Sequence, residues 1–208
     1  MDIQKQNLNQ KNVKKDEIIL VVKRKHLFPE KILQGIEKPA DNLFVDTILE
    51  KKEFLPRSLM EVDFDYKQII PYLVFNYEDK YFLMQRKAKA SEKRLRSKYT
   101  LGIGGHIRKD DIKNSDISSW ANREFHEEVD YSGNCEVEFI GILNDDSNDV
   151  GRVHTGFVYL LKGDSPEISV KQELQSGQLL SVDECLNHYD SMESWSQIVF
   201  DFLVKTRS

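Results

Sequence analysis

Apolar positions along the chain recur with two different periods, and each change of period marks an expected change of element. Residues 17–22 read as a short strand, with an apolar run over 18–22. Pro29, Gly35 and Pro39 mark turns before residues 41–52, where Leu43, Phe44, Ile48 and Leu49 share one side of a helix. Residues 69–77 and 81–86 are apolar and aromatic runs flanking Glu78-Asp79-Lys80, the pattern of a hairpin. Residues 99–107 supply a further extended segment, and residues 115–129 follow as a helix with Ser115 or Asp116 as its N-cap. Residues 136–143 and 152–161 read as strands joined by an acidic loop over 144–151. A short strand at 178–180 precedes a small helix at 182–186. Residues 194–205 close the chain as an amphipathic helix with Trp195, Ile198, Val199, Phe202 and Leu203 inward. Strands flanked by helices on both sides of a mixed sheet predict an α/β/α sandwich.

The helix at 115–129 carries the densest chemistry. Glu124, Glu127 and Glu128 stand at i, i+3 and i+4 and so share a face. Ile117, Ala121, Phe125 and Val129 form its apolar stripe, and Glu124 and Glu128 fall on or beside that stripe. Carboxylates turned toward a packed side are costly unless paired or metal-bound. Hard oxygen donors of this kind suit Mg²⁺ or Mn²⁺. The plainer reading is a solvated, Glu-rich surface helix.

Upstream lies Leu101-Gly102-Ile103-Gly104-Gly105-His106-Ile107, a glycine-rich turn that lets backbone approach another group closely. Gly105 together with Arg123-Glu124-Phe125-His126-Glu127-Glu128 resembles the Nudix hydrolase signature, in which a glycine and an upstream Glu precede Arg-Glu-apolar-x-Glu-Glu-x-Gly-apolar. Three departures stand out. The spacing from Gly105 to Arg123 is four residues longer than the family pattern. No Glu occupies the upstream acidic position, for which Asp111 and Asp116 are the candidates. Asp130 replaces the closing glycine, where a left-handed residue usually ends the helix. The resemblance extends from about Phe54 onward. Residues 67–72, 94–99, 141–145 and 192–196 are similar to a bacterial subgroup of Nudix proteins described as predicted phosphoesterases.

The resemblance implies a Nudix-like α/β/α sandwich over residues 67–208, a small N-terminal extension over 16–66, and hydrolysis of a phosphoanhydride in a nucleoside diphosphate linked to another moiety. Glu124, Glu127 and Glu128 would hold Mg²⁺ or Mn²⁺, with Glu124 the first choice of general base. Glu173 stands before a strand, where the family often carries a further ligand or base. Arg123 cannot ligate a cation; its fork is expected to pair with a carboxylate, Asp111 first, and fix the glycine loop to the helix. Arg86, Gly104, Gly105 and His106 are the candidates for substrate contact, although a loop histidine bonded to its surroundings is the plainer reading of His106. Asp145, Asp146 and Asp149 are distal ligands or members of a polar turn. Two alternatives remain: a nucleotide-sensing module of the same fold without turnover, and isomerisation of an isoprenoid diphosphate, which needs a reactive cysteine in the pocket.

Composition narrows the setting. The chain has 208 residues, 39% hydrophobic and 31% charged, enough for one domain with a sizeable core. A formal charge of −5 argues against a general nucleic-acid binder, and no apolar run suits a bilayer. Residues 1–15 are polar and lysine-rich, the composition of a disordered tail rather than a signal peptide. Cys135 and Cys185 lack metal-site spacing and read as free thiols of a cytoplasmic protein. The expected partner is a small nucleotide-type substrate, with a homodimer the candidate assembly. Residues 86–98 hold seven Lys or Arg in thirteen, a basic rim next to the glycine turn that suits phosphate oxygens.

Overall fold

A computed structural model describes residues 16–40, 42–87, 97–111, 117–172 and 174–207, with side chains for all of these except 117–122 and 206–207. The N-terminal half runs β1 (Ile18–Lys23), α1 (Arg24–Leu27), β2 (Gly35–Glu37), α2 (Leu43–Lys51), β3 (Glu53–Pro56) and α3 (Arg57–Met60), then β4 (Tyr66–Tyr77), β5 (Lys80–Arg86), β6 (Tyr99–Thr100) and β7 (Gly102–Gly104). The second half continues with α4 (Ile117–Glu128), β8 (Val129–Tyr131), β9 (Cys135–Asn144), α5 (Asp149–Val153), β10 (His154–Gly163), β11 (Ile168–Val170), β12 (Leu174–Leu180), α6 (Val182–Leu186) and α7 (Ser194–Arg207).

The centre of the main sheet is the parallel pair β4 and β10, in register from Gln68 opposite His154 to Asn76 opposite Lys162. A parallel pair is covered on both faces, and β4 is accordingly buried along nearly its whole length. Successive side chains of a strand point to opposite faces. Tyr72 and Val74 of β4, with Tyr81 and Leu83 of β5, pack against Val199, Phe200 and Leu203 of α7. Leu73 and Phe75, with Phe82 and Met84, pack against Phe125 of α4 and Val129. The two helices therefore cover opposite faces, as expected of the sandwich. Pro71 is tolerated in this strand because it falls between the stretch paired with β1 and the stretch paired with β7.

The N-terminal segment is woven into the same sheet. β1 pairs with β4 and β3, and β2 pairs with the outer edge of β9. Leu20, Val22 and Ile48 join Ile69, Ile142 and Phe157 in a common apolar cluster. The expected loop at 144–151 ends in α5, whose N-cap Asn148 accepts from Gly151 N at 3.0 Å, so β10 begins at His154 rather than Arg152. The strand expected at 178–180 begins earlier, at Leu174, where β12 lies antiparallel to β5. Among the described residues, no helix is long and apolar enough to cross a membrane.

One buried lysine ties these parts together, its pKa pushed down to about 7, chiefly by burial. Lys67 is 0% exposed, and its Nζ donates to Asp146 at 2.9 Å and to the carbonyls of Gly151 at 2.8 Å and His154 at 3.2 Å. Asp146 also pairs with Arg24. Removing the side chain takes a donor from the carbonyls of Gly151 and His154 at a fully buried position and leaves Asp146 with Arg24 and Asn144. Lys67→Met is expected to lower stability by about 3 kcal/mol in urea denaturation. Lys162→Met, which removes an exposed contact to Glu138, should be nearly silent, and equal losses from the two would show that burial does not set the cost.

Candidate active site

The C-terminal half of α4 is anchored by Phe125, which stacks on Phe75 with ring centroids 6.0 Å apart and packs edge-on to Tyr131. That anchor turns Glu124 inward. Glu124 is 8% exposed, Glu128 is half-buried and Glu127 is exposed. The helix ends without a glycine. Asp130 is not left-handed as expected but lies in β8, paired with Ser169 of β11. The terminal carbonyls are satisfied from outside the helix: Lys171 donates its backbone N–H to Glu128 O at 2.8 Å and its Nζ to His126 O at 2.6 Å, while also pairing with Asp130 at 3.2 Å. A lysine at this end meets the negative pole of the helix and replaces the missing glycine cap.

Arg123 is the hub. Its Nε and Nη2 donate to the two oxygens of Asp111 at 3.0 and 2.8 Å, a bidentate fork. Nη2 also meets Glu124 at 2.9 Å and Nη1 meets Glu127 at 2.8 Å. Asp111 Oδ2 additionally accepts from the backbone N–H of Arg108 at 2.8 Å. The arginine thus fastens the loop after β7 to α4, with Asp111 the partner anticipated from sequence. Burial by itself would lower the Arg123 pKa, but the hydrogen bonds to Glu127 and Asp111 outweigh it and hold the guanidinium charged. Glu124 is pushed upward, chiefly by burial and further by Glu127, with Arg123 opposing.

Gly105 completes this corner. A Cβ built there would lie 2.2 Å from Glu124 Oε2, so the carboxylate occupies the space a side chain would need. Arg86, at the end of β5, pairs with the buried Glu193 at the start of α7. Burial would lower the Arg86 pKa, but Glu193 outweighs it, and Glu128 adds a smaller upward pull, which places Arg86 in the electrostatic reach of the helix carboxylates. Sequence reasoning gave Glu193 no role. Arg86 and Glu193 meet only through the fold, and nothing in their local sequence signals the pair.

Other candidates sit elsewhere. The His106 ring turns to Gln68 Oε1 at 2.7 Å and to His154 Nε2 at 3.4 Å. Gly104 pairs with Tyr72 in the sheet. Asp145 closes its own turn, accepting from Ser147 N at 3.0 Å, Asn148 at 2.9 Å and Gln34 at 2.8 Å, while Asp146 is held by Lys67 and Arg24. Glu173, Asp116 and most of the basic stretch, residues 88–96, lie outside the described residues. With Glu127 drawn to Arg123, the helix glutamates do not gather on one point. Among the described residues, the ligand atoms found within 4.8 Å of one another are those of Glu61, His106 and His154.

Known proteins place this arrangement. No protein-family model matches the chain. Protein YmaB of Bacillus subtilis (strain 168) is 32% identical over 206 residues, spanning 91% of this chain and 98% of that protein. The crystal structure of Tm1382, assigned as a Nudix hydrolase, superposes with a TM-score of 0.76 at 31% identity, covering 91% of this chain and 100% of that one. The chain belongs to the Nudix hydrolase family. The Nudix domain of Shewanella oneidensis NrtR, solved with ADP ribose, shares the fold at 11% identity, with a TM-score of 0.55 over 68% of this chain and 89% of that one.

As a Nudix-type pyrophosphohydrolase, the protein has no thiol disposed for isomerase chemistry. Burial, with Asp164 adding to it, pushes Cys135 up to about 11, and Cys185 is buried beneath α7. The longer loop of this Nudix box still brings Gly105 against Glu124. Gly105→Ala is expected to cost about 1–3 kcal/mol by overpacking. In a Glu124→Ala background the cost should largely vanish, because the collision is with that carboxylate. Urea denaturation of the four proteins measures the coupling, and strictly additive costs would show that the glycine is not there to seat Glu124.

Proposed function

We propose that this Nudix protein hydrolyses a phosphoanhydride bond in a nucleoside diphosphate linked to another moiety, using a divalent cation held by Glu124, Glu127 and Glu128. The observation that carries the reading is the buried Glu124, seated on Gly105 beside Asp111 and Glu127, all three carboxylates being paired to the one cation Arg123. One guanidinium leaves such a cluster strongly anionic, and its donors are hard oxygens, which fits Mg²⁺ or Mn²⁺. Such an ion, when bound, neutralises phosphate charge and lowers the pKa of a coordinated water.

The chain's own residues supply the rest. Arg123 holds the glycine loop and the helix in one body, so the carboxylates keep their spacing when the anionic substrate arrives. Arg86, kept charged by Glu193, is positioned to attract phosphate oxygens beside Glu128. Glu124 is the base in this account. Burial makes it a stronger proton acceptor than an exposed carboxylate. A water attacks phosphorus, its proton passes to Glu124, and the bond from phosphorus to the bridging oxygen breaks, giving two phosphate-bearing products. The NrtR complex supports the substrate class only to the extent that the same fold holds ADP ribose there.

A second reading is a nucleotide sensor without turnover. It is favoured by one feature: Asp111, the candidate for the upstream acid, is committed to Arg123, and Glu127 is drawn to the same guanidinium. Purified protein incubated with ADP-ribose, nucleotide sugars, dinucleoside polyphosphates, NADH and nucleoside triphosphates, with Mg²⁺ or Mn²⁺, separates the two. Cleavage of at least one compound is expected. Glu127→Gln and Glu128→Gln should each fold normally and lose about a hundredfold in turnover or more. Saturable binding with no product across the panel would establish the sensor, and undiminished turnover in both variants would remove the glutamates from the mechanism.

A further inference from the structure

The group formed by Glu61, His106 and His154 lies outside the glutamate cluster, and the function proposed above makes no use of it. Three separate segments bring it together. Glu61 caps the end of α3, His106 follows β7, and His154 opens β10, where parallel pairing sets it opposite Gln68. The two imidazoles face each other through Nε2, 3.4 Å apart, and the Glu61 carboxylate has an oxygen within 4.8 Å of both.

The hydrogen bonds behind these atoms define which lone pairs are available. His154 Nδ1 donates to the carbonyl of Val150 at 2.7 Å, so its Nε2 carries no proton and points its lone pair at His106. A backbone carbonyl behind a ring nitrogen is the usual outer support of a metal-ligating histidine. Gln68 Nε2 donates to Met60 O at 3.1 Å, which turns Oε1 toward the rings. Without an ion, one proton on His106 Nε2 must serve both Gln68 Oε1 at 2.7 Å and the bare nitrogen of His154. The site is well shielded: His154 is 8% exposed and Gln68 is fully buried. Burial also keeps both rings neutral, the state a ligand needs.

We infer that Glu61, His106 and His154 form a binding site for a nitrogen-preferring divalent cation of the zinc class, separate from the oxygen-lined site on α4. Two imidazole nitrogens on one tetrahedral ion at about 2.0–2.1 Å stand about 3.3 Å apart, close to the spacing found here. A His₂Glu donor set selects such an ion over Mg²⁺, which takes oxygen ligands. The fourth position is left to Gln68 Oε1 or a solvent molecule. An ion here would pin His106, the residue after Gly105, to α3 and β10. It would therefore brace the loop that seats Glu124, which Arg123 also holds through Asp111.

Calorimetric titration of chelator-treated full-length protein with ZnCl₂ tests this, with MgCl₂ in parallel. One equivalent of Zn²⁺ is expected to bind the wild type. His106→Gln and His154→Gln should each weaken that binding by about 100-fold or more, beyond what an outer-sphere partner costs. Glu124→Gln and Glu127→Gln should leave it unchanged. No uptake by the wild type, or uptake that survives the histidine changes and is lost with the glutamate changes, would overturn the inference. Should a histidine variant fail to fold, Co²⁺-loaded wild type decides. A strong visible band from a tetrahedral, nitrogen-bearing site is expected, and only the weak band of an octahedral all-oxygen site would contradict it.

Discussion

A single guanidinium surrounded by carboxylates is the constraint on which the rest of the site depends. Arg123 fastens Asp111 with a bidentate fork, and so joins the loop after β7 to α4, while it also touches Glu124 and Glu127. Three acidic groups around one arginine carry more negative charge than it balances. In the proposed function a further cation would complete the charge balance, and the burial of Glu124 against Gly105 shows that the arrangement is packed rather than merely exposed acid. Asp111 ties the near end of the connection after β7 to the helix.

The sheet exists to present that corner. The buried parallel pair β4 and β10 fixes the level at which β7 turns toward α4. Phe75 in β4 and Phe125 in α4 then set the rotation of the helix, so that Glu124 faces inward and Glu127 outward. At the other end of the helix, Lys171 closes the last turn from β11's trailing edge. The same sheet carries a second polar centre near its β1 edge, where the buried Lys67 and His154 meet the half-buried Asp146 and His106.

Much of this was legible in the amino-acid order. The long periodic stretches gave β4, β5, α4 and α7 because their apolar faces are continuous, and α6 was found at its observed limits. The signature residues pointed to Arg123 and Asp111 as partners. What escaped was of two kinds. Strands such as β8 and β11 span three residues each, too few to show a period. Lys171, Glu193 and the trio Glu61, His106 and His154 act only across the fold, with partners brought together by strand pairing, and no local spacing announces such meetings. The replacement of the closing glycine by Asp130 read as a tolerated left-handed cap, whereas the chain passes directly into β8.

The central claim is that the inward face of α4 holds a divalent ion. Anomalous scattering from crystals soaked in Mn²⁺ with a non-hydrolysable dinucleotide tests it most directly. The account predicts a manganese peak at about 2.1–2.2 Å from carboxylate oxygens of Glu124, Glu127 or Glu128, close to the hard-cation oxygen distance. Well-ordered carboxylates with no anomalous peak beside them, in crystals that show the dinucleotide bound, would contradict it.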